Sequence, residues 1–171
     1  MKNTIGLKGH VNYILYDEDG NIKQKGSGKA CNIVTTQGDN YFVDQLSDAG
    51  AANLHLMVLG TGTANVAKAN TWVAGYYAAN GSAATGKGTV SPITNAGTPG
   101  NLQLIGTFAA GYGSANGISR VGYTNMNPSA DGNGTPSGTT FFIAHGTIDP
   151  AVNKGAADSL VVTWDIVFLG S

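Results

Sequence analysis

The sequence predicts an all-β fold: a two-layer antiparallel β-sandwich with one short helix, of which a jelly roll is one form. Apolar and β-branched residues occur in short runs separated by clusters of Gly, Asn, Asp, Pro and Ser, a pattern typical of strands and turns. Strands do not alternate with long helical segments, which argues against a parallel α/β sheet. The 171 residues form one predicted domain, 1–171, and a chain of this size buries about 70% of its unfolded surface on folding.

The first strand is predicted at residues 10–16, where Val11, Tyr13 and Leu15 fall on one face. Residues 17–21 follow it with an acidic turn that contains an Asp-Gly step. Such a step favours a β-hairpin, so the first two strands are expected to be neighbours.

One helix is predicted, at residues 36–46, with Thr35 or Thr36 as its N-cap. Its apolar stripe consists of Tyr41, Phe42 and Leu46.

The remaining strands follow from runs of apolar and β-branched residues. Residues 54–59 are continuously apolar, which predicts a strand buried on both faces. In the last strand, alternation commits one face to the core through Leu160, Val162, Trp164, Ile166 and Phe168. The full set of further strands is predicted at residues 29–34, 54–59, 102–108, 118–123, 141–148 and 159–169.

Two segments are poor in large apolar residues and are predicted as loops. Residues 80–101 are expected to form long exposed loops or short edge strands near residues 89–94. Residues 125–138 contain Asn-Pro and Asp-Gly steps, which favour turns.

Low charge limits the partners of this chain. Charged residues make up 11% of the sequence and the net charge is −1, whereas about 25% charged residues is usual in soluble domains. No run of Lys or Arg offers a surface for nucleic-acid phosphates or an anionic membrane, and no apolar run has the length of about 18 residues that a spanning helix needs. We expect neither nucleic acid nor membrane as a partner.

A sequence close to a phosphate-binding loop lies at residues 81–89. That loop requires Ser or Thr directly after its Lys, and a helix whose N-terminal amides face the phosphate. Here Gly88 follows Lys87, and Pro92 opposes a helix. We predict a flexible loop without a nucleotide.

No catalytic, cofactor-binding or metal-ligating residue is predicted. His10, His55 and His145 lie on separate strands without the spacing of a local metal site. Most acidic residues, including Asp149, fall in predicted turns, and Asp165 is expected on a polar face, solvated or paired at an interface. A glycan hydrolase would need a pair of facing carboxylates, and none is discernible, so we predict a non-enzymatic protein.

Aromatic side chains mark one candidate contact surface. Trp72, Tyr76 and Tyr77 lie close together in the sequence, and such residues stack on sugar rings or pack at subunit interfaces. Packing in the core or at a subunit interface is the alternative to glycan contact that we favour.

Six segments make up one pattern, which begins with an Asn-apolar-Val-Thr stretch that leads to a Gly and a short helix. They are residues 32–38 (NIVTTQG), 42–46 (FVDQL), 59–62 (LGTG), 104–109 (LIGTFA), 118–123 (ISRVGY) and 158–166 (DSLVVTWDI). Together these segments, which are spread over most of the chain, resemble a family of bacteriophage virion structural proteins. One position departs from the resemblance, because Arg120 stands where the family often has Glu.

The resemblance implies a capsid-decorating, collar or tail-fibre protein, often trimeric, with no catalytic residue. We expect a decoration (cement) protein, assembled in the bacterial cytoplasm, that binds the major capsid protein and copies of itself. Residues 1–9, which lack an amphipathic pattern of their own, are a candidate arm that packs against the capsid or a neighbouring subunit. The alternative is a tail-fibre or collar adhesion module that binds host glycans.

Overall fold

The computed structural model describes residues 6–28, 33–47, 56–63, 66–71, 87–94, 101–112, 114–124 and 142–169. Within these residues the chain forms nine strands and one helix. In chain order they are β1 (Gly6–Tyr16), β2 (Ile22–Ser27), β3 (Ile33–Val34), α1 (Thr36–Leu46), β4 (Leu56–Gly60), β5 (Lys87–Thr94), β6 (Asn101–Phe108), β7 (Ala115–Thr124), β8 (Phe142–Lys154) and β9 (Ser159–Leu169).

The strands form a continuous antiparallel ladder that folds into two layers. Its order is β2-β1-β9-β6-β5-β4-β7-β8-β3. The first sheet consists of β2, β1, β9 and β6, and the second of β4, β7, β8 and β3, while β5 pairs with both β4 and β6 and joins the two. The predicted two-layer antiparallel sandwich with one short helix is confirmed. Jelly-roll connectivity stays a prediction.

The main core lies between the inner faces of the two sheets. Val11, Tyr13 and Leu15 of β1 are each at most 1% exposed, which confirms the alternation predicted for this strand. The other strands complete the core with Leu104, Phe108, Leu160, Val162 and Trp164 from the first sheet and Met57, Leu59, Val121, Ile143 and Ile148 from the second.

The hairpin between β1 and β2 forms at the predicted turn. The Asp17 carboxylate accepts hydrogen bonds from the backbone N–H groups of Asp19 (3.1 Å) and Asn21 (2.8 Å). Gly20 has a φ of +82°, a left-handed conformation that glycine adopts without steric cost.

The helix α1 spans the predicted residues and is fixed to β8 at its start. Thr35 is its N-cap: the hydroxyl oxygen accepts a hydrogen bond from the Gly38 N–H (3.0 Å) and donates to the Phe142 carbonyl. Gly38 lies directly against β8, because a side chain at this position would overlap the Ile143 carbonyl oxygen. Tyr41 then enters the main core.

The β1–β2 hairpin also closes one side of the sandwich. The Tyr13 hydroxyl donates to the Pro150 carbonyl (2.7 Å), and Gln24 Nε2 donates to the Ala151 carbonyl (3.2 Å). These carbonyls belong to β8, in the other layer. This part of β8 is therefore covered by the chain's own side chains rather than open to pairing with a strand of another molecule.

Three sequence-based predictions are corrected. The loop or edge strand expected near residues 89–94 is instead an interior strand, because β5 pairs with β4 on one side and β6 on the other. Residues 6–9 of the predicted arm belong to β1 and pair with the end of β9, while residues 1–5 lie outside the described residues. Asp149 was predicted in a turn but lies inside β8, which continues to Lys154 through a cis Asp149–Pro150 peptide bond.

Candidate partner-binding face and polar pocket

The aromatic residues predicted to contact a partner or a glycan, Trp72, Tyr76 and Tyr77, lie outside the described residues. The predicted loop at residues 125–138 also lies outside them. Two surface features remain on the described strands: the outward side of the first sheet and a pocket between β7 and β8.

The outward side of the first sheet is built around β9. Val161, Thr163 and Asp165 alternate with the core residues of this strand and are partly exposed. The antiparallel registers place a β1 residue and a β6 residue beside each of them. We call the resulting three rows the outer face: Ile14–Val161–Thr107, Asn12–Thr163–Ile105 and His10–Asp165–Gln103.

The outer face carries little charge. Asp165 is the one carboxylate in its three rows, and it accepts a hydrogen bond from Gln103 Nε2 at 2.7 Å. Two lysines lie at the rim: Lys25 of β2 stands beside Ile14, and Lys8 of β1 stands in the next row, beside Val167. Burying an unpaired charge is costly, and burying Thr or Asn without a hydrogen bond costs less, whereas Val and Ile gain from burial against a partner. The composition of this face therefore suits docking.

The opposite side of the molecule differs, because the chain itself covers the outward side of the second sheet. Val58, Phe142 and His145 are each fully buried there, although Val58 and Phe142 stand outside the main core. The segment at residues 66–71 reaches this region, since Asn70 Oδ1 lies 3.3 Å from His145 Nδ1. A large part of the second sheet's outward side is thus already packed.

His145 is a buried neutral side chain in this packed region. Its Nε2 atom has no hydrogen-bond partner among the residues that the structure describes. Burial, and secondarily the charge of Arg120, lowers the pKa of His145 to about 4. Over the described ranges no group of three or more His, Cys, Asp or Glu side chains is arranged to hold a metal ion.

Two further buried charges stabilise the connection between β8 and β9. Lys154 is 2% exposed and donates to the Ala109 carbonyl (3.1 Å). Asp158 accepts hydrogen bonds from Lys23 Nζ (2.9 Å) and from the Gly155 N–H (2.7 Å). The bond from Lys23, followed by that from Gly155, lowers the pKa of the Asp158 carboxyl. These groups are committed to structural contacts.

The pocket lies where β7 pairs with the middle of β8. It has a volume of about 300 Å³. The register of the two strands shifts between Ile118 and Arg120, and such bulges change the direction in which neighbouring side chains point. The lining residues are Ser119, Arg120, Thr147, Ile148, Asp149 and Ala151.

Polar contacts within the chain fix one wall of the pocket. The Ser119 hydroxyl donates to the Gly62 carbonyl (3.0 Å), and Arg120 Nη1 donates to the Ser119 carbonyl (3.0 Å). Sequence analysis did not predict this pocket. From the sequence, Arg120 was only a departure from the resembling pattern, and Asp149 was expected in a turn.

Comparison with protein-family models, curated proteins and solved structures finds no match to this chain. Among the described helical residues, none form a helix long and apolar enough to cross a membrane.

Proposed function

We propose that this chain is a non-catalytic structural protein of a bacteriophage particle, which binds the assembled capsid as a decoration protein. The observation that carries the proposal is the charge-poor outer face of the first sheet, with Val161 and Thr163 on its middle strand. Its neighbours across the strands are Ile14, Asn12 and Ile105. Such a face suits contact with the major capsid protein or with another copy of the chain.

The resemblance to phage virion structural proteins rests in part on residues that shape the fold. Thr35 and Gly38 belong to the segment at residues 32–38, and both hold α1 against β8. Thr35-x-x-Gly38 has a structural role at this place, since the Thr caps the helix and the Gly permits its close approach. The likeness therefore concerns residues that define the architecture.

The size of the outer face predicts weak individual contacts. Three rows that lie two residues apart on three strands cover roughly 300 Å² at ordinary strand spacing and rise. A stable interface usually buries about 800 Å² on each partner. A homotrimer would place three such faces on one particle surface, and linked weak contacts gain affinity together.

Decoration would stabilise the particle by linkage. A protein that binds only the assembled lattice stabilises it by RT ln(1 + [L]/Kd), about 2.7 kcal/mol per site at a hundredfold excess over Kd. The assembled particle, formed in the bacterial cytoplasm, would be the place where this protein acts.

The first test is the copy number per virion, measured by quantitative mass spectrometry against the major capsid protein. A ratio near one copy per capsid subunit supports decoration. A handful of copies per particle refutes decoration and favours a tail-fibre or collar module that binds host glycans.

A matched pair of variants tests the outer face itself. Val161→Lys places a charge on the middle strand of this face, whereas Val43→Lys places the same charge on α1, where Val43 is 61% exposed. Both proteins are checked for folding by circular dichroism and then mixed with capsids that lack the protein. We expect Val161→Lys to lose particle binding and Val43→Lys to keep it. Equal binding by the two variants contradicts the assignment of the face.

A further inference from the structure

We infer that the pocket between β7 and β8 binds a single neutral sugar unit. This inference goes beyond capsid decoration and does not depend on it, because the pocket lies on the second sheet and the outer face on the first.

The end of β2 and the residue that follows it, Gly28, pack against the β8 backbone that lines the pocket. Gly28 and Gly26 approach β8 so closely that a side chain at either position would overlap the carbonyl oxygen of Thr147 or Asp149, respectively. The Tyr13 hydroxyl fixes the next carbonyl, that of Pro150. Backbone fixed in this way is preorganised, and a preorganised site loses less conformational freedom when a ligand binds.

The charges around the pocket select a neutral ligand. Arg120 contributes a cation and Asp149 an anion to the same lining. An anionic ligand would be repelled by Asp149 and a cationic one by Arg120. Both side chains, like Thr147, also interact within the chain, so they are positioned before a ligand arrives.

The hydrogen-bonding groups select a ligand rich in hydroxyls. A carboxylate accepts hydrogen bonds, a guanidinium donates them, and a hydroxyl can do either. The Ser119 hydroxyl already donates to the Gly62 carbonyl, so toward a ligand it is an acceptor. Ligand hydroxyls match all three kinds of group. The exposed Ala151 adds apolar surface, which suits the C–H face of a sugar ring, whereas Ile148 lies in the main core.

The volume limits the size of the ligand. Pockets for small molecules occupy about 300–1,000 Å³, and this one, at about 300 Å³, stands at the lower end. It is suited to one ring rather than to an extended oligosaccharide, so we expect weak binding, with a Kd of about 1 mM, which corresponds to about −4 kcal/mol.

The test is an NMR titration of the ¹⁵N-labelled full chain with glucose, galactose, mannose, rhamnose and N-acetylglucosamine, one at a time. We expect at least one sugar to shift the amide signals of Ser119, Arg120 and residues 147–151 in a saturable way. Asp149→Asn keeps the size of the side chain but removes its charge, and it should weaken that binding at least tenfold. Asp165→Asn, the same change on the outer face, should leave the affinity unchanged.

Other results overturn the inference. They are the absence of saturable shifts with all five sugars, shifts that map away from the pocket, equal affinity of Asp149→Asn and the unmodified chain, or binding of the zwitterion glycine in place of sugars. Capsid binding by Asp149→Asn, measured as for Val161→Lys, separates the two proposals: a failed sugar titration with intact capsid binding rejects the pocket alone.

Discussion

Acid should destabilise this protein through His145. The folded chain lowers the pKa of this side chain from 6.5 to about 4, mainly through burial. Between these two values the unfolded chain binds more protons than the folded one, so the free energy of unfolding falls as the pH falls through this window. One pKa unit corresponds to about 1.4 kcal/mol, which gives a total loss of about 3 kcal/mol. The contribution is fully present above the unfolded pKa.

The assay is urea unfolding at several pH values between about 7 and 4, followed by tryptophan fluorescence. Trp164 is 1% exposed and reports on the core. His145→Asn removes the titrating ring but keeps a donor near Asn70 Oδ1, so its stability should change little over this range. His10→Asn, a replacement of an exposed histidine in β1, should keep the full dependence on pH.

Two results would refute the reasoning: a stability of the unmodified chain that is constant between about pH 7 and 4, or an equal pH dependence in His145→Asn. Asp158 does not obscure the comparison. Its pKa is lowered from 3.8, so the stability that it contributes is present above 3.8 and is lost only as the pH falls further, below the histidine window.

Three further substitutions test the fold by urea unfolding at neutral pH. Gly38→Ala should lower the free energy of unfolding by about 3 kcal/mol through overpacking, because the new carbon meets the Ile143 carbonyl. In the control Gly20→Ala the new carbon meets no neighbour, so only the left-handed backbone conformation should cost about 1–2 kcal/mol. An equal cost for both variants would contradict the close approach of α1 to β8. Thr35→Val removes the helix cap and should cost about 1–2 kcal/mol; an unchanged unfolding midpoint would show that the cap is dispensable. Asp158→Asn weakens charge-assisted hydrogen bonds and should cost about 1.5–3 kcal/mol, and its stability should no longer fall below about pH 4 through this group.

Local patterns were sufficient to predict the elements whose causes are local. The bounds of α1 follow from the Thr35 cap and the apolar stripe, and those of β9 from strict alternation, and both agree with the structure. In contrast, β5 was expected at an edge because its composition is rich in Gly, Ser, Thr and Pro. Its place between β4 and β6 is determined by those two partner strands, and no local signal records them.

The outer face and the pocket also differ in how far local sequence patterns predict them. The outer face was partly predictable, since the alternation of β9 places Asp165 on the face that Trp164 does not occupy. The structure adds the hydrogen bond from Gln103 to Asp165. The pocket was not predictable, because Arg120 and Thr147 become neighbours only through the register of β7 and β8, which a bulge shifts. A single-sequence pattern contains neither the register nor the bulge.

The two layers differ in how far the chain itself covers them, and this difference favours the proposed docking on the first sheet. Segments of the chain itself cover the outward side of the second sheet, where Val58, Phe142 and His145 are buried. The outer face of the first sheet remains partly exposed around Val161 and Thr163. If both layers served equally in assembly, covering one of them would reduce the contact area without a gain. We therefore expect particle contacts to concentrate on the first sheet. A charge introduced at Val161 should then weaken assembly more than Asp149→Asn on the second sheet, although the latter changes a residue that lines a pocket.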